Sequence, residues 1–149
     1  MRKDEFVMRG QTASNGTEVL NFSGFKPGMS YRLIEYELYP SLNIGTDNFE
    51  MCASITAGKS AINPITVDFS DEGLIATTLV SESAAISYSG YDMTVINDTF
   101  LITQNLILMV ANAQSAEAVN WQCKFKPVKL AKAEEAVANY KQFMISDGS

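Results

Sequence analysis

Apolar and polar residues alternate along most of the first 128 residues, and this period of two constrains the fold more than any other feature of the sequence. The alternation is clearest where Val119, Trp121, Cys123 and Phe125 are interleaved with Asn120, Gln122, Lys124 and Lys126. Successive side chains of a strand point to opposite faces of a sheet, so the pattern predicts strands with one buried face. It is typical of antiparallel sheets, because parallel sheets are covered on both faces.

Turn residues separate the alternating segments at short intervals, as in an all-β domain. The predicted strands cover residues 18–25, 31–39, 49–56, 65–69, 74–80, 85–88, 93–96, 100–110 and 119–126. We therefore predict an antiparallel β-sandwich of jelly-roll type with about eight strands. Residues 100–110 are apolar on both phases, which suits a central strand that is buried on both sides or is partly covered by a neighbouring subunit.

The same alternation selects a core. In residues 31–39 it places Ile34, Tyr36 and Leu38 on the apolar face and Leu33 on the opposite face. The core anchors predicted in this way are Phe22, Ile34, Tyr36, Val119, Trp121 and Phe125.

After Pro127 the apolar period changes from two to steps of three and four, which predicts a C-terminal helix. We divide the chain into an N-terminal arm (residues 1–12), a sandwich (residues 13–128) and a helix with its tail (residues 129–149). The helix docks on its own sandwich or on another subunit. Segments outside a sandwich can bridge neighbouring subunits, so the candidate interface residues are Phe6, Val7, Leu130, Val137, Tyr140 and Met144.

The sequence contains no histidine, and so lacks the commonest general base and the commonest metal ligand. Its 11 basic and 17 acidic residues give a net charge of −6, which disfavours binding to nucleic acid or to an anionic membrane. No apolar run reaches the roughly 18 residues of a membrane span. We expect no catalytic, cofactor-binding or metal-binding residues, no small-molecule substrate, no direct nucleic-acid role and no membrane span.

The two cysteines, Cys52 and Cys123, are far apart and cannot supply a four-ligand zinc site without histidine. Cys52 falls on the polar phase of its strand and Cys123 on the apolar phase of another strand, which favours two free thiols over a disulfide. Residues 1–6 combine a basic pair with acidic residues and lack an apolar core, so we expect no secretion signal.

Two short segments suggest ligand chemistry. Residues 53–60 end in Gly-Lys-Ser like a phosphate-binding loop, but Ala53 replaces the first glycine and a predicted strand follows, which favours a hairpin loop. Asp68, Asp71 and Glu72 could hold a divalent ion at a subunit contact, but they lack the spacing of an EF-hand and fit a solvated turn.

Other surface groups carry two interpretations as well. Glu35 and Glu37 share a strand face like a pair of glycosidase carboxylates, although the sequence shows no cleft around them. Tyr88 and Tyr91 flank a turn, where they could stack on a sugar ring or lie partly buried at the end of the sandwich. A basic stripe, interpreted as a solvated face or as a contact with acidic neighbours, comprises Lys124, Lys126, Lys129 and Lys132.

The segments ITQNLILMVAN (residues 102–112) and EAVNWQCKFK (residues 117–126) resemble the closing hairpin of small β-sandwich virion proteins of phages, in which a charged helix or tail follows. The resemblance implies a capsid, decoration or spike subunit without catalysis, which packs against copies of itself and other virion proteins. It also implies a virion location, with assembly in the host cytoplasm. The alternative is a carbohydrate-binding or host-adhesion module with Tyr88 and Tyr91 as glycan contacts.

Overall fold

The computed structural model describes residues 4–22, 29–41, 48–82, 90–114, 116–129, 137–142 and 145. The strands are β1 (Phe6–Thr12), β2 (Thr17–Leu20), β3 (Met29–Pro40), β4 (Phe49–Thr56), β5 (Leu74–Glu82), β6 (Tyr91–Ile96), β7 (Leu106–Asn112) and β8 (Val119–Lys129). They form two antiparallel sheets around one apolar core, which confirms the predicted all-β sandwich. Residues 137–142 and 145 are helical, as predicted for the C-terminus, and are called the terminal helix below.

The order of the strands is nested. The small sheet has the order β1-β8-β3, and the large sheet has the order β2-β7-β4-β5-β6. The pairs β1–β8, β2–β7 and β4–β5 are those of one long hairpin folded over on itself, which is the connectivity of a jelly roll. In that scheme β6 would pair with β3, but here it pairs with β5 and contacts β3 through a 3.3 Å hydrogen bond from Thr94 Oγ1 to the Tyr36 carbonyl.

The core contains five of the six predicted anchors, since Phe22, Tyr36, Val119, Trp121 and Phe125 are all buried. At one end of the core, an aromatic cluster brings together rings from β1, β3, β8 and the segment after β2. Phe6 and Phe125 stack with their ring centroids 5.4 Å apart, and Phe6 and Tyr31 meet edge to face, also at 5.4 Å. Such offset and edge-to-face contacts stabilise a core beyond the area that they bury.

The prediction of the sixth anchor, Ile34, is wrong. Ile34 is only half-buried, whereas Leu33, which the alternation assigns to the opposite face, is fully buried. The register between β3 and β8 shifts between Leu33 and Glu35, so one extra residue is inserted in β3. A β-bulge of this kind reverses the relation between odd and even positions, and it therefore turns Leu33 inward.

The predicted N-terminal arm is also wrong for its second half, because residues 6–12 form β1 and pair with β8. Within β1, Phe6 and Met8 pack against the core, while Val7 and Arg9 are exposed. Phe6, predicted at an interface, belongs instead to the aromatic cluster. The close pairing requires Gly10, since a Cβ at this position would lie 2.9 Å from Cζ2 of Trp121.

Two predicted strands differ in the structure. Residues 65–69 are not a strand: a 3-10 helix spans Pro64–Thr66, and the Asn63 side chain caps it by accepting a hydrogen bond from the Ile65 amide. Proline suits the first position of a helical turn, because its fixed φ matches the helix and no amide hydrogen is needed there, so Asn63 and Pro64 together start a 3-10 turn. Residues 100–110 are interrupted as well: Ile102 forms an isolated bridge with Tyr31, and β7 begins only at residue 106. The predicted strand at residues 85–88 lies outside the described residues.

The terminal helix docks with a different face from the one predicted. Val137 and Tyr140 of the predicted stripe are 69% and 66% exposed, whereas Gln142 is completely buried. The Gln142 Oε1 accepts hydrogen bonds from the Thr103 amide (2.8 Å), the Thr103 hydroxyl and the Gln104 amide. A polar side chain therefore anchors the helix, which an apolar periodicity cannot indicate. Leu130 and Met144 lie outside the described residues.

Candidate functional surfaces

The segment that resembles a phosphate-binding loop belongs to a long hairpin connection. Residues 53–56 end β4, and the connection to β5 occupies residues 57–73. The Thr56 hydroxyl accepts a 3.0 Å hydrogen bond from the Gly58 amide and donates one to the Gly73 carbonyl. Since only one turn of 3-10 helix occurs in this connection, the helix that would cradle a phosphate is not formed there.

The acidic residues of the same connection hold its turn. The Asp68 carboxylate accepts hydrogen bonds from both the amide and the hydroxyl of Ser70, and these bonds lower the pKa of Asp68. The Asp71 carboxylate accepts a 2.9 Å bond from the Gly73 amide. These contacts agree with the solvated-turn interpretation. Over the described residues, no three acidic or thiol side chains are grouped to hold a metal ion.

The carboxylates considered as a catalytic pair lie on the exposed face of β3. Glu35 is 3.7 Å from the Lys124 ammonium, which also lies 3.9 Å from Glu5. Glu35 and Glu37 contribute to the rim of an open groove of about 730 Å³ between β3 and β6, together with Glu82 and Asp92. The groove lies between β3 and β6 because β6 pairs with β5 in the large sheet, and not with β3 as it would in a regular jelly roll.

Both cysteines are free, as predicted. They lie in different sheets, since Cys52 belongs to β4 and Cys123 to β8. Cys52 lies on the outer face of the large sheet and Cys123 on the inner face of the small sheet. Burial raises the pKa of the Cys52 thiol to about 11, with a smaller contribution from the Glu50 carboxylate. Burial alone raises the pKa of Cys123 to about 12. Thiols of such high pKa react slowly with electrophiles at neutral pH.

The outer face of the large sheet carries no charge across its three central cross-strand rows. The registers of the five strands define these rows as Val19–Ile107–Thr56–Leu74, Thr17–Met109–Ser54–Thr77–Val95 and Ala111–Cys52–Leu79–Met93. The connection between β4 and β5 covers the middle of this face, where the Ser54 hydroxyl donates to the Ile62 carbonyl. This connection leaves the side chains of Met93 and Val95, in the part formed by β5 and β6, exposed.

This part of the face is an exposed apolar patch, which we call the β5–β6 patch and define as Phe69, Leu79, Met93 and Val95. Phe69, Met93 and Val95 are 65%, 60% and 41% exposed. Phe69 and Val95 line the same depression of about 320 Å³, whose rim includes Asp71 and Glu72. Apolar surface that is contiguous and rimmed by polar groups is typical of protein contact sites.

The basic side chains of the predicted stripe lie on the other side of the sandwich. Lys126 is exposed on the outer face of the small sheet, directly opposite the exposed Arg32 of β3. Lys129 is exposed at the end of β8. Lys132 lies outside the described residues. The acidic rim of the β5–β6 patch and this basic group are therefore on opposite sheets of the same domain.

The outer face of the small sheet carries a compact set of polar side chains. Two neighbouring cross-strand rows run from β1 through β8 to β3, and their members are Arg9–Gln122–Glu37 and Gln11–Asn120–Tyr39. A depression of about 490 Å³ lies over these rows. The Tyr39 side chain is 62% exposed beside it.

Neither of the two residues predicted as glycan contacts has a described side chain. Tyr88 lies outside the described residues, and of Tyr91 only the backbone, which begins β6, is described. The polar rows were missed because their members lie on three strands that are distant in sequence. The alternation places Glu37, Tyr39, Asn120 and Gln122 on the polar phases of their strands. It gives no face to Arg9 and Gln11, which were predicted in the N-terminal arm, and it does not indicate that β1 and β3 flank β8.

No protein-family model matches the chain, and comparisons with curated proteins and with solved structures find no significant match. Among the described residues, no helix has the length and apolar character needed to cross a membrane.

Proposed function

We propose that this protein is a non-enzymatic structural subunit that packs against copies of itself in a virion shell. The observation that carries the proposal is the β5–β6 patch on the uncharged outer face of the large sheet. The chain has 28 charged residues, 11 basic and 17 acidic, yet the exposed side chains on this face include the apolar Met93 and Val95. Burial against another subunit would remove this apolar area from water, at about 25 cal/mol per Å².

The charges favour a contact between unlike surfaces. Asp71 and Glu72 rim the patch, whereas Arg32 and Lys126 are exposed on the opposite sheet. A contact of one copy's patch with another copy's basic group pairs opposite charges, whereas a contact of patch with patch brings carboxylates together. A contact between unlike surfaces generates a ring when its rotation closes, and a shell forms when such rings make a second contact with one another. The nested strand order supports the same function. The predicted closing hairpin does not support it, because β7 lies in the large sheet and β8 in the small sheet, so these two strands are not paired.

The experiment is to measure the oligomeric state by light scattering during size-exclusion chromatography, over a range of protein concentrations. We expect the wild-type chain to associate, and Met93→Lys with Val95→Lys to shift it towards the monomer. The matched control is Val137→Lys with Tyr140→Lys, which places the same two charges on comparably exposed residues of the terminal helix, an element that belongs to neither proposed surface, and leaves association intact. Electron microscopy of the associated material should show rings or shells.

Two results would contradict the proposal. One is a wild-type chain that stays monomeric at high concentration. The other is association that survives the charges at Met93 and Val95 but is lost in Val137→Lys or Tyr140→Lys, because the terminal helix would then be the contact. High salt should weaken a contact between opposite charges, and association that is insensitive to salt would exclude the pairing of acidic rim and basic group.

A further inference from the structure

We infer that the outer face of the small sheet is a binding site for a neutral saccharide, at the depression over the rows Arg9–Gln122–Glu37 and Gln11–Asn120–Tyr39. The depression shares the outer face of the small sheet with Arg32 and Lys126, which the proposed assembly uses, but it lies two cross-strand rows away from them, so the inference rests on different residues.

The first observation is that the row Arg9–Gln122–Glu37 offers both hydrogen-bond donors and hydrogen-bond acceptors. The Arg9 guanidinium offers donors, the Glu37 carboxylate offers acceptors, and the Gln122 amide between them offers both. Among the described residues, these three side chains form no hydrogen bond or ion pair with another side chain. Neighbouring hydroxyls of a sugar both donate and accept, so they can satisfy such a set, whereas an anion would be repelled by Glu37 and a cation by Arg9.

The second observation is the exposed aromatic ring. Tyr39 is 62% exposed at the end of the second row and lines the depression. An aromatic face can cover the apolar C–H face of a pyranose while the phenol hydroxyl stays in contact with water. Tyr39 thus supplies the apolar contact that amide and charged groups lack.

The third observation is the size and rigidity of the platform. Adjacent strands are about 4.8 Å apart and alternate residues of a strand about 7 Å apart, so three strands and two rows cover roughly the footprint of one or two pyranose rings. The Asn120 side chain is fixed in the second row, where its Oδ1 accepts a 2.9 Å bond from Gln11 Nε2 and its Nδ2 donates to the Pro40 carbonyl. Side chains that are fixed before binding reduce the entropy cost of binding.

The experiment uses the full-length chain and a panel of neutral tetrasaccharides built from glucose, mannose, galactose or N-acetylglucosamine. Binding is measured by calorimetry and by chemical-shift changes of backbone amides. We expect at least one tetrasaccharide to bind and to shift amides of the central parts of β1, β3 and β8. Tyr39→Ala and Gln122→Ala should each weaken binding by at least about tenfold.

Tyr140→Ala is the matched control, because Tyr140 is as exposed as Tyr39 (66% against 62%) but lies on the terminal helix. This variant should bind like the wild type. The inference is overturned if no tetrasaccharide of the panel binds, if Tyr39→Ala binds as tightly as the wild type, or if the shifted amides lie in the large sheet. The binding result is separate from the oligomeric state, so failure of one proposal leaves the other testable.

Discussion

The indole Nε1 of Trp121 donates a 2.9 Å hydrogen bond to the hydroxyl of Thr12, and this buried bond joins the central strand of the small sheet to its edge strand. The same hydroxyl donates to the Glu18 carboxylate at 3.2 Å. One threonine therefore connects β1, β8 and β2, on both sheets of the sandwich.

Thr12→Val keeps the shape of the side chain but leaves the indole N–H buried without an acceptor. We expect the free energy of unfolding in urea to fall by about 1–3 kcal/mol. In a Trp121→Phe background, which has no indole N–H, the same substitution should cost much less. Glu18→Gln is the control for the second bond and should have a small effect. Equal costs of Thr12→Val in both backgrounds would show that the indole bond does not stabilise the fold.

The bulge in β3 can be tested by two neighbouring truncations. Leu33→Ala should lower the free energy of unfolding by about 2–5 kcal/mol, because Leu33 is fully buried. Ile34→Ala should cost only about 1 kcal/mol, because Ile34 is half-buried. A regular strand without a bulge predicts the opposite order, so a larger loss in Ile34→Ala would show that the register does not shift between Leu33 and Glu35.

Stability should decrease at alkaline pH because of the buried thiols. The ordinary thiol pKa of 9.0 rises to about 11 for Cys52 and to about 12 for Cys123 in the folded chain. Below pH 9 the thiols are protonated in both states and their contribution to stability is complete. Above it the unfolded state loses protons first, so this contribution decreases as the pH rises through the folded pKa values.

Urea unfolding between about pH 8 and pH 11 measures this loss. Burial also raises the pKa of Tyr36, so the variant Tyr36→Phe shows how much of the alkaline loss of stability comes from this tyrosine. In the double variant Cys52→Ser with Cys123→Ala the decrease in stability with pH should be shallower.

At pH 8, Cys52 should react with a disulfide reagent about 100-fold more slowly than an unhindered thiol, from its lower thiolate fraction alone. Rapid labelling in the folded state would contradict the raised pKa.

The docking of the terminal helix depends on Gln142, whose Oε1 accepts three hydrogen bonds. Its Nε2 is buried and has no hydrogen-bond partner among the described residues, so the anchor is only half satisfied. Gln142→Ala removes the acceptor and should increase amide hydrogen exchange at Thr103 and Gln104 by at least about tenfold. Tyr140→Ala, on the exposed side of the helix, should leave this exchange unchanged. Unchanged exchange in Gln142→Ala would mean that the helix is held by other contacts.

The sequence contains enough information for the sandwich because most of its strands are buried on one face only. Burial of alternate residues in β8 and in the first half of β4 follows directly from their alternation. Ser54 and Thr56, on the polar phase of β4, are buried as well, because the connection to β5 covers them. The bulge at Ile34 has no such signal, since neither glycine nor proline marks it and the shift arises from pairing with β8. In β1 the apolar phase is weak because it includes Gly10 and Thr12, whose positions are explained only by the Trp121 indole of a strand more than 100 residues away.

The surfaces were less accessible to prediction than the core. An apolar residue on an outer face, such as Met93, can be recognised only when the inner face of β6 is known. The sequence of β6 is short and has apolar residues at both odd and even positions, so it does not indicate which face is the inner one. The polar rows of the small sheet depend on which strands are neighbours, and strand order is a property of long-range pairing. What the sequence does report for such residues is that Tyr39 and Gln122 fall on the polar phases of their strands.

The position of β8 has a consequence for how the chain is made. β8 lies between β1 and β3, so both pair with a strand that is synthesised after the other seven described strands. During translation, β1 and β3 have no partner in the small sheet until β8 has left the exit tunnel. Closure of the small sheet must therefore wait for residues 119–129, and contacts of such large sequence separation make folding slow. A nascent chain in this state exposes unpaired strand edges, and its encounters with chaperones or with other nascent copies precede the native fold.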